Sequence, residues 1–399
     1  MDLTVTLFDL DGVLIRPGGY RAAVKATVNY FSRKMGLGDL EPAEEELAFF
    51  EANGVTSEWD MVPICLAFLI ERARSKLQNK LPDVPLLSII QLIHQQGMLI
   101  TMDYREDFER LIPFLDSSIP AAEALLVAVQ RGKLFPEGQN TIYLQELLGN
   151  TRQPSESITM RVFQNYILGD KGFQSAYSIP AVFESLSYLE TYDVRLLSDP
   201  CRARLAALIE HAIIQPAVIT ARPSLRPADA EDGLNVYSPE AEMALGQTGL
   251  GNIPMVGLGS IQYLAGQLGV PADNFVKPSP VQALAGLGAA LGFGIQESLL
   301  WAAACGSDPF QKEVKLKIPF RLNLHIFEDS TIGIVACQRA VLLLEKAGYA
   351  VSLHSWGIAS NPDKIRALKA VGAIVFPDVN QAVGAALGHF PACEVFSPS

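Results

Sequence analysis

The sequence predicts an α/β protein: a parallel sheet covered by helices on both faces, interrupted after its first strand by a large all-α insertion. Three observations predict it. The apolar, β-branched run Leu3-Thr4-Val5-Thr6-Leu7-Phe8 reads as a buried strand. From Arg21 to about Arg204, apolar residues recur at helical spacing with little alternation. From about Leu205, short strand-like runs alternate with helical segments, the pattern that builds a parallel sheet.

The first strand ends in Asp9-Leu10-Asp11-Gly12. Two carboxylates at the end of a buried strand carry a large desolvation cost unless a cation offsets it. Gly12 lets the chain turn sharply and leave the sheet. Open α/β sheets place their chemistry at the carboxyl ends of strands. Asp9 and Asp11 are therefore read as lining a metal-assisted site, with a solvated turn as the alternative.

Arg16-Pro17-Gly18-Gly19-Tyr20 is a turn-rich exit from the sheet. The insertion then carries predicted helices over Arg21–Met35, Pro42–Asn53, Ser57–Leu77, Leu86–Gln96, Arg105–Leu115, Ala121–Arg131, Tyr143–Leu148, Ser155–Leu168 and Ala181–Thr191. This block, residues 17–204, is long enough to be a domain, leaving 1–16 and 205–399 as the core. Asp60, Tyr20, Arg16 and Arg21 near its start are read as surface or hinge residues, with substrate contact as the alternative.

In the core, Ala217–Thr220, Ile253–Gly257, Asn274–Lys277, Leu322–Phe327, Ala350–Leu353 and Ala373–Phe376 read as strands. Ile261–Leu268, Thr331–Ala347, Pro362–Ala370 and Val379–Leu387 read as helices, and Arg226–Tyr237 and Phe293–Pro319 as extra loops or hairpins. Gly286, Gly288 and Gly292 lie in a helical Ala/Leu pattern. They are read as close helix packing, not as a nucleotide loop.

Four apolar runs end in chemically useful residues. They give the acids Asp9 and Asp11, the hydroxyl Thr220 in Thr220-Ala221-Arg222-Pro223, the cation Lys277 in Lys277-Pro278-Ser279-Pro280, and the acid pair Glu328-Asp329. Ser198, closing Val194–Leu197, is a rival to Thr220; with Ser198 in that place the insertion would end near Ile179. Arg222 either reaches a phosphate or is a surface arginine in a turn. Glu328 and Asp329 can also cap the helix from Thr331, which is compatible with holding a metal.

Acid, hydroxyl, cation and acid pair, in this order, resemble the haloacid dehalogenase superfamily. The forms Phe-Asp-Leu-Asp-Gly-Val-Leu and Phe-Glu-Asp-Ser-x-x-Gly look like its branch containing phosphoglycolate phosphatase and β-phosphoglucomutase, where an α-helical cap follows the first motif. The resemblance covers the core, and the cap matches no named pattern. It implies a Rossmann-like, three-layer core and a Mg²⁺-dependent phosphatase acting on a small phosphate ester. It also implies the roles: Asp9 as nucleophile, Asp11 as proton donor and acceptor, Thr220 on the phosphoryl oxygens, and Lys277 pairing with phosphate and nucleophile. Mg²⁺ would be held by the Asp9 side chain, the Asp11 backbone carbonyl and Asp329, with Glu328 beside or behind it. The cap would close over the substrate, with hinges near Arg16–Tyr20 and Asp199–Arg204. A phosphomutase is the alternative within the superfamily, and a non-catalytic binding protein the alternative outside it.

Composition narrows the partners. The chain has 399 residues, 49% apolar and 19% charged, as expected of a folded globular protein. Its net charge of −12, with no basic stripe, disfavours nucleic acid and anionic membranes. The Ala/Gly-rich stretch Ala283–Phe293 is too short to span a bilayer. No basic region precedes an apolar segment at Met1-Asp2-Leu3, so a cytoplasmic location is expected. Cys65, Cys201, Cys305, Cys337 and Cys393 read as reduced thiols. The five histidines lack metal-ligand spacing, so zinc is not expected.

Overall fold

A computed structural model of the chain describes residues 3–77, 83–116, 118–135, 142–229, 237–307 and 318–390. It divides into two compact units, Met1–Pro17 with Asp193–Ser399, and Gly18–Tyr192.

Among its described residues the first unit contains eight strands: β1 Leu3–Phe8, β2 Ile15–Arg16, β3 Val194–Arg195, β4 Gln215–Ile219, β5 Met255–Val256, β6 Arg321–Glu328, β7 Ala350–Ile358 and β8 Ile374–Phe376. Six form one sheet in the order β5-β4-β1-β6-β7-β8, with every pairing parallel. Phe8 at the end of β1 stands opposite Val218 of β4 and Phe327 of β6, so β1 lies at the centre with its carboxyl end between theirs. Both faces of the sheet are covered, and its central strands are correspondingly apolar on both sides. Val5, Leu7, Ala217, Ile219, Leu324 and Ile326 pack against Leu284, Leu287 and Cys337 of helices Pro280–Ala290 and Thr331–Lys346. Phe8, Val218, Phe327 and Trp356 pack on the other face, with Leu205, Leu208, Val379 and Ala382 of helices Asp199–Glu210 and Val379–Ala386. This is the three-layer α/β architecture.

The chain leaves this unit after a two-stranded ribbon: Ile15 and Arg16 pair antiparallel with Arg195 and Val194. The unit therefore resumes at Asp193, earlier than the boundary expected at 205. The reason is local. Helix Asp199–Glu210 is started by Ser198 and buries Leu205 and Leu208 in the sheet's core, so residues read as the end of the insertion pack with the sheet.

Two other sequence readings change. Asn274–Lys277 is not a strand: Ala272–Asn274 is a 3₁₀ turn, and Lys277 lies in the turn before helix Pro280–Ala290. Phe275 and Val276 are apolar because they pack on the core from a loop, and four residues are too few to separate that from strand periodicity. The Phe293–Pro319 loop contains helix Ile295–Ser307, with Leu299, Trp301 and Ala302 in the core. Residues 230–236 and 308–317, and with them most of the Arg226–Tyr237 loop, lie outside the described residues, as does Cys393.

The second unit is helical, with no strand among its described residues. Its helices are Gly19–Lys34, Glu44–Ala52, Glu58–Ser75, Leu86–Gln96, Tyr104–Glu109, Ala121–Gln130, Ile142–Leu148, Ile158–Tyr177 and Tyr188–Tyr192. Glu58–Ser75 is buried along most of its length, and the Phe50 and Phe108 rings stack at 4.0 Å. The predicted helix Ala181–Thr191 shrinks to Tyr188–Tyr192 because Asn165 holds the preceding segment open. Its amide oxygen accepts from Val182 N–H (2.7 Å), and its NH₂ donates to the Phe183 carbonyl (3.1 Å) and the Ser185 hydroxyl (2.8 Å). Among the described residues, no helix is long and apolar enough to cross a membrane.

Candidate active site

Asp9 follows β1 directly, and its N–H still donates to the Phe327 carbonyl (2.9 Å), extending the ladder by one bond. Beyond it the backbone folds into a tight turn. The Leu10 carbonyl accepts from the N–H groups of Leu14 and Ile15, and Gly12 sits at φ +76°. A side chain at Gly12 would overlap the Asp329 carboxylate, so glycine serves both the turn and the approach of the last acid to the first.

Asp329 follows β6, next to β1. The Asp9, Glu328 and Asp329 carboxylates each offer an oxygen within 4.8 Å of the others. Lys277 enters from its turn and binds two of them, with Nζ 3.0 Å from Asp9 Oδ1 and 2.7 Å from Glu328 Oε1. Burial, then the neighbouring Glu328, raises the Asp9 pKa well above the ordinary carboxylate value, against the opposing pull of Lys277. Burial likewise raises that of Asp329, opposed by Lys364. Burial disfavours the Lys277 ammonium, but Asp9 and Glu328 outweigh it and the Lys277 pKa rises.

Glu328 is fully engaged. Oε1 accepts from Lys277, and Oε2 accepts from the Asp329 N–H (2.9 Å), the Ser330 N–H (3.1 Å) and the Ser330 hydroxyl (3.0 Å). It is suited to holding Lys277 and the loop in place. Asp9 and Asp329 are the better placed to offer oxygens to a cation. Two hard carboxylates beside a third that anchors the loop, with the turn carved to admit Asp329, fit a hard divalent ion such as Mg²⁺.

Asp11 lies on the far side of the turn in a fork with Arg222: Nε to Oδ2 at 3.1 Å and Nη2 to Oδ1 at 2.5 Å. The Arg222 Nη1 donates to Asp193 Oδ2 at 2.8 Å, and the Arg222 and Asp193 side chains are both fully buried. Arg222 is thus not the surface arginine that its turn context allowed. It bridges Asp11 to the residue where the chain returns from the helical unit.

Thr220 closes β4, the strand beside β1, and its hydroxyl accepts from the Arg222 N–H (3.1 Å). Gln282 of helix Pro280–Ala290 donates to the carbonyls of Thr220 (2.7 Å) and Val256 (3.0 Å), tying two strand ends together. Ser198 instead starts helix Asp199–Glu210, its hydroxyl accepting from the Cys201 N–H. Of the residues near the start of the helical unit, Asp60 is buried and bound through both oxygens to Arg152. Arg21 pairs with Glu44 and Glu51.

Sequence reasoning missed Lys364, whose Nζ lies 2.5 Å from Asp329 Oδ2. It stands in the first turn of helix Pro362–Ala370. The only signal was the Asn361-Pro362 helix start after a strand.

No family profile matches the chain, and no curated protein matches it. Among solved structures, it aligns with the X-ray structure of Northeast Structural Genomics Consortium target ZR25 at a TM-score of 0.65 and 15% identity, covering 98% of this chain and 99% of that one. A likeness at this identity concerns the fold, here over the whole chain. Phosphatase Tt82 from Thermococcus thioreducens aligns over 96% of this chain and 98% of its own at 13% identity; its TM-score of 0.44 supports no inference.

Proposed function

We propose that the chain is a phosphatase of haloacid dehalogenase type, hydrolysing a small phosphate ester through an aspartyl-phosphate on Asp9. The observation that carries this reading is the three-carboxylate cluster at the end of β1 and β6 with Lys277 bridging Asp9 and Glu328. A bound Mg²⁺, held by Asp9, Asp329 and the Asp11 backbone carbonyl, would neutralise the acids and orient the phosphoryl group.

In this reading an Asp9 oxygen attacks phosphorus, and the ester oxygen departs with a proton from Asp11. Water then attacks the phosphorus of the aspartyl-phosphate while Asp11 takes its proton; the Asp9 O–P bond breaks, inorganic phosphate leaves and the free carboxylate of Asp9 is restored. Lys277 offsets charge on the transferring group and keeps Asp9 aligned from the side, while Glu328 fixes Lys277. The Thr220 hydroxyl donates to a phosphoryl oxygen. Arg222 holds Asp11 in the fork, and donating a proton requires Asp11 to loosen from it.

The test is Mg²⁺-dependent release of p-nitrophenol from p-nitrophenyl phosphate, followed by a panel of phosphorylated metabolites. Asp9→Asn should abolish turnover. Lys277→Met should lower it on the order of 10²–10³-fold, the usual loss on removing a transition-state charge partner. Well-folded wild type that turns over nothing in the panel would overturn the proposal.

A further inference from the structure

The carboxylate cluster is met by two lysines of different character. Lys277 is 4% exposed and held between Asp9 and Glu328. Lys364 is 42% exposed and reaches the cluster at Asp329 alone. Its backbone is fixed, because Asn361 starts its helix by accepting from the N–H groups of Asp363 (2.9 Å) and Lys364 (3.2 Å). Its side chain borders an open cleft of about 390 Å³, lined also by Arg16, Ser360, Asn361 and Asp378. Asp378 already binds Gln381 through both oxygens, at 3.0 Å to N–H and 2.8 Å to Nε2, so its charge is partly spent on its own helix.

We propose that Lys364 is an exchangeable counter-ion of the cation site. Its ammonium neutralises Asp329 when no divalent ion is bound, competes with the ion for that carboxylate, and moves into the cleft when the ion takes its place. The proposal rests on the reading of Asp9 and Asp329 as cation ligands. Two considerations carry it. An ammonium in contact with Asp329 Oδ2 engages a carboxylate that a bound dication would share, and the two positive charges repel strongly in such partly buried surroundings. A lysine is a point charge on a flexible stem, so an open cleft beside it provides the exit that the packed Lys277 lacks. The acids thus have an internal cation that stabilises the metal-free site while lowering its apparent affinity for metal.

Calorimetric titration of the full-length protein with Mg²⁺ tests this, using wild type, Lys364→Met, Lys364→Arg and Asp329→Asn. Lys364→Met should bind Mg²⁺ at least about tenfold more tightly, since an adjacent charge commonly shifts the occupancy of a carboxylate by a factor of ten or more. Lys364→Arg should restore affinity to near wild type, and Asp329→Asn should lose binding. A second readout needs no variant: acetylation of Lys364 by acetic anhydride, followed by mass spectrometry, should speed up when Mg²⁺ is added to wild type. Binding by Lys364→Met alone, with none by wild type, would also support the proposal. Equal or weaker binding by Lys364→Met overturns it. So does an acetylation rate that Mg²⁺ leaves unchanged in protein that binds the ion. If Asp329→Asn loses Mg²⁺ while Lys364→Met matches wild type, the ligand reading survives and only the role of Lys364 falls. If neither wild type nor Lys364→Met binds Mg²⁺, the cation site itself is refuted, and the proposal with it.

Discussion

A side chain at Gly333 would overlap Glu328 Oε1, the oxygen that holds Lys277. The glycine of Phe-Glu-Asp-Ser-x-x-Gly therefore has a steric reason: the first turn of helix Thr331–Lys346 must lie against the buried glutamate. Gly333→Ala should push Glu328 off Lys277 and off the Ser330 loop, costing about 1–3 kcal/mol as an overpacked site. Turnover should fall more steeply than stability, because Lys277 loses the partner that aims it. Denaturant melts alongside p-nitrophenyl phosphate kinetics check this; unchanged activity in a destabilised variant would detach Glu328 from the chemistry. At this scale the sequence was informative wherever a charged residue closes an apolar run, since such a residue is costly unless it has a partner. Asp9, Asp11, Glu328 and Asp329 were legible on that ground, and Lys277 as well, though it projects from a turn. Two partners were not legible in full. Nothing in Thr220-Ala221-Arg222-Pro223 reveals that the Arg222 guanidinium turns inward to Asp11 and Asp193. Lys364 has no motif around it, and it reaches Asp329 only because β7 lies beside β6.

Helix Pro280–Ala290 is buried along most of its length, packs on β1 and β4, and carries Gln282 to the carbonyl of Thr220. Its glycines are read from the sequence as close packing, and Gly286 fits that reading. A Cβ there would lie 2.5 Å from Ile219 Cγ2 and 3.3 Å from Leu7 Cδ2, both in strands that end at the site. Gly292 has another cause: it takes φ +88° just past the helix, with nothing within 4 Å of its Cβ position among the described residues. Gly286→Val should lift the helix from the sheet, cost about 1–3 kcal/mol and displace Gln282 from Thr220. Gly292→Ala should cost less and leave the site intact. Comparing melts and turnover of the two variants separates packing from turn geometry; equal effects on turnover would refute the distinction. Long periodic segments were legible as elements, among them β1, Leu86–Gln96 and Pro362–Ala370 with matching bounds. Short ones were legible less evenly: Ala217–Thr220 and Ala373–Phe376 fall on β4 and β8, whereas two others do not hold. Asn274–Lys277 looked like a strand because two apolar residues serve a packed loop as readily as a strand. Ala181–Thr191 looked helical because the Asn165 bonds that hold its first half are invisible in its own residues.

Across the molecule, tertiary assembly joins residues that no sequence spacing connects. The five histidines show no ligand spacing, yet the sheet and the 3₁₀ turn Leu387–His389 bring three together. His325 stacks on His354 with centroids 4.5 Å apart, and His354 meets His389 at 4.9 Å. His325 lies on β6 three residues before Glu328 and is buried. Its Nδ1 accepts from Trp356 Nε1–H at 3.0 Å, which places the proton of the neutral ring on Nε2, and that atom has no hydrogen-bond partner among the described residues. Protonating Nδ1 would set two N–H groups against each other inside the core. Burial, then His354 and His389, lowers the His325 pKa from 6.5 to about 3, and burial with His389 lowers that of His354. Below pH 6.5 the unfolded chain takes up a proton that the folded chain refuses until pH falls to about 3. Folding stability is therefore complete with respect to this group above pH 6.5 and is lost as pH falls through that window. One such histidine costs about 2–3 kcal/mol by pH 4.5. Urea unfolding of wild type between pH 7.5 and 4.5 should show this decline. His325→Gln keeps an acceptor for Trp356 but cannot titrate, so it should flatten the slope while lowering stability at pH 7.5. A slope identical in the variant would show that other groups, not the buried imidazole, govern acid unfolding of the sheet that carries the site.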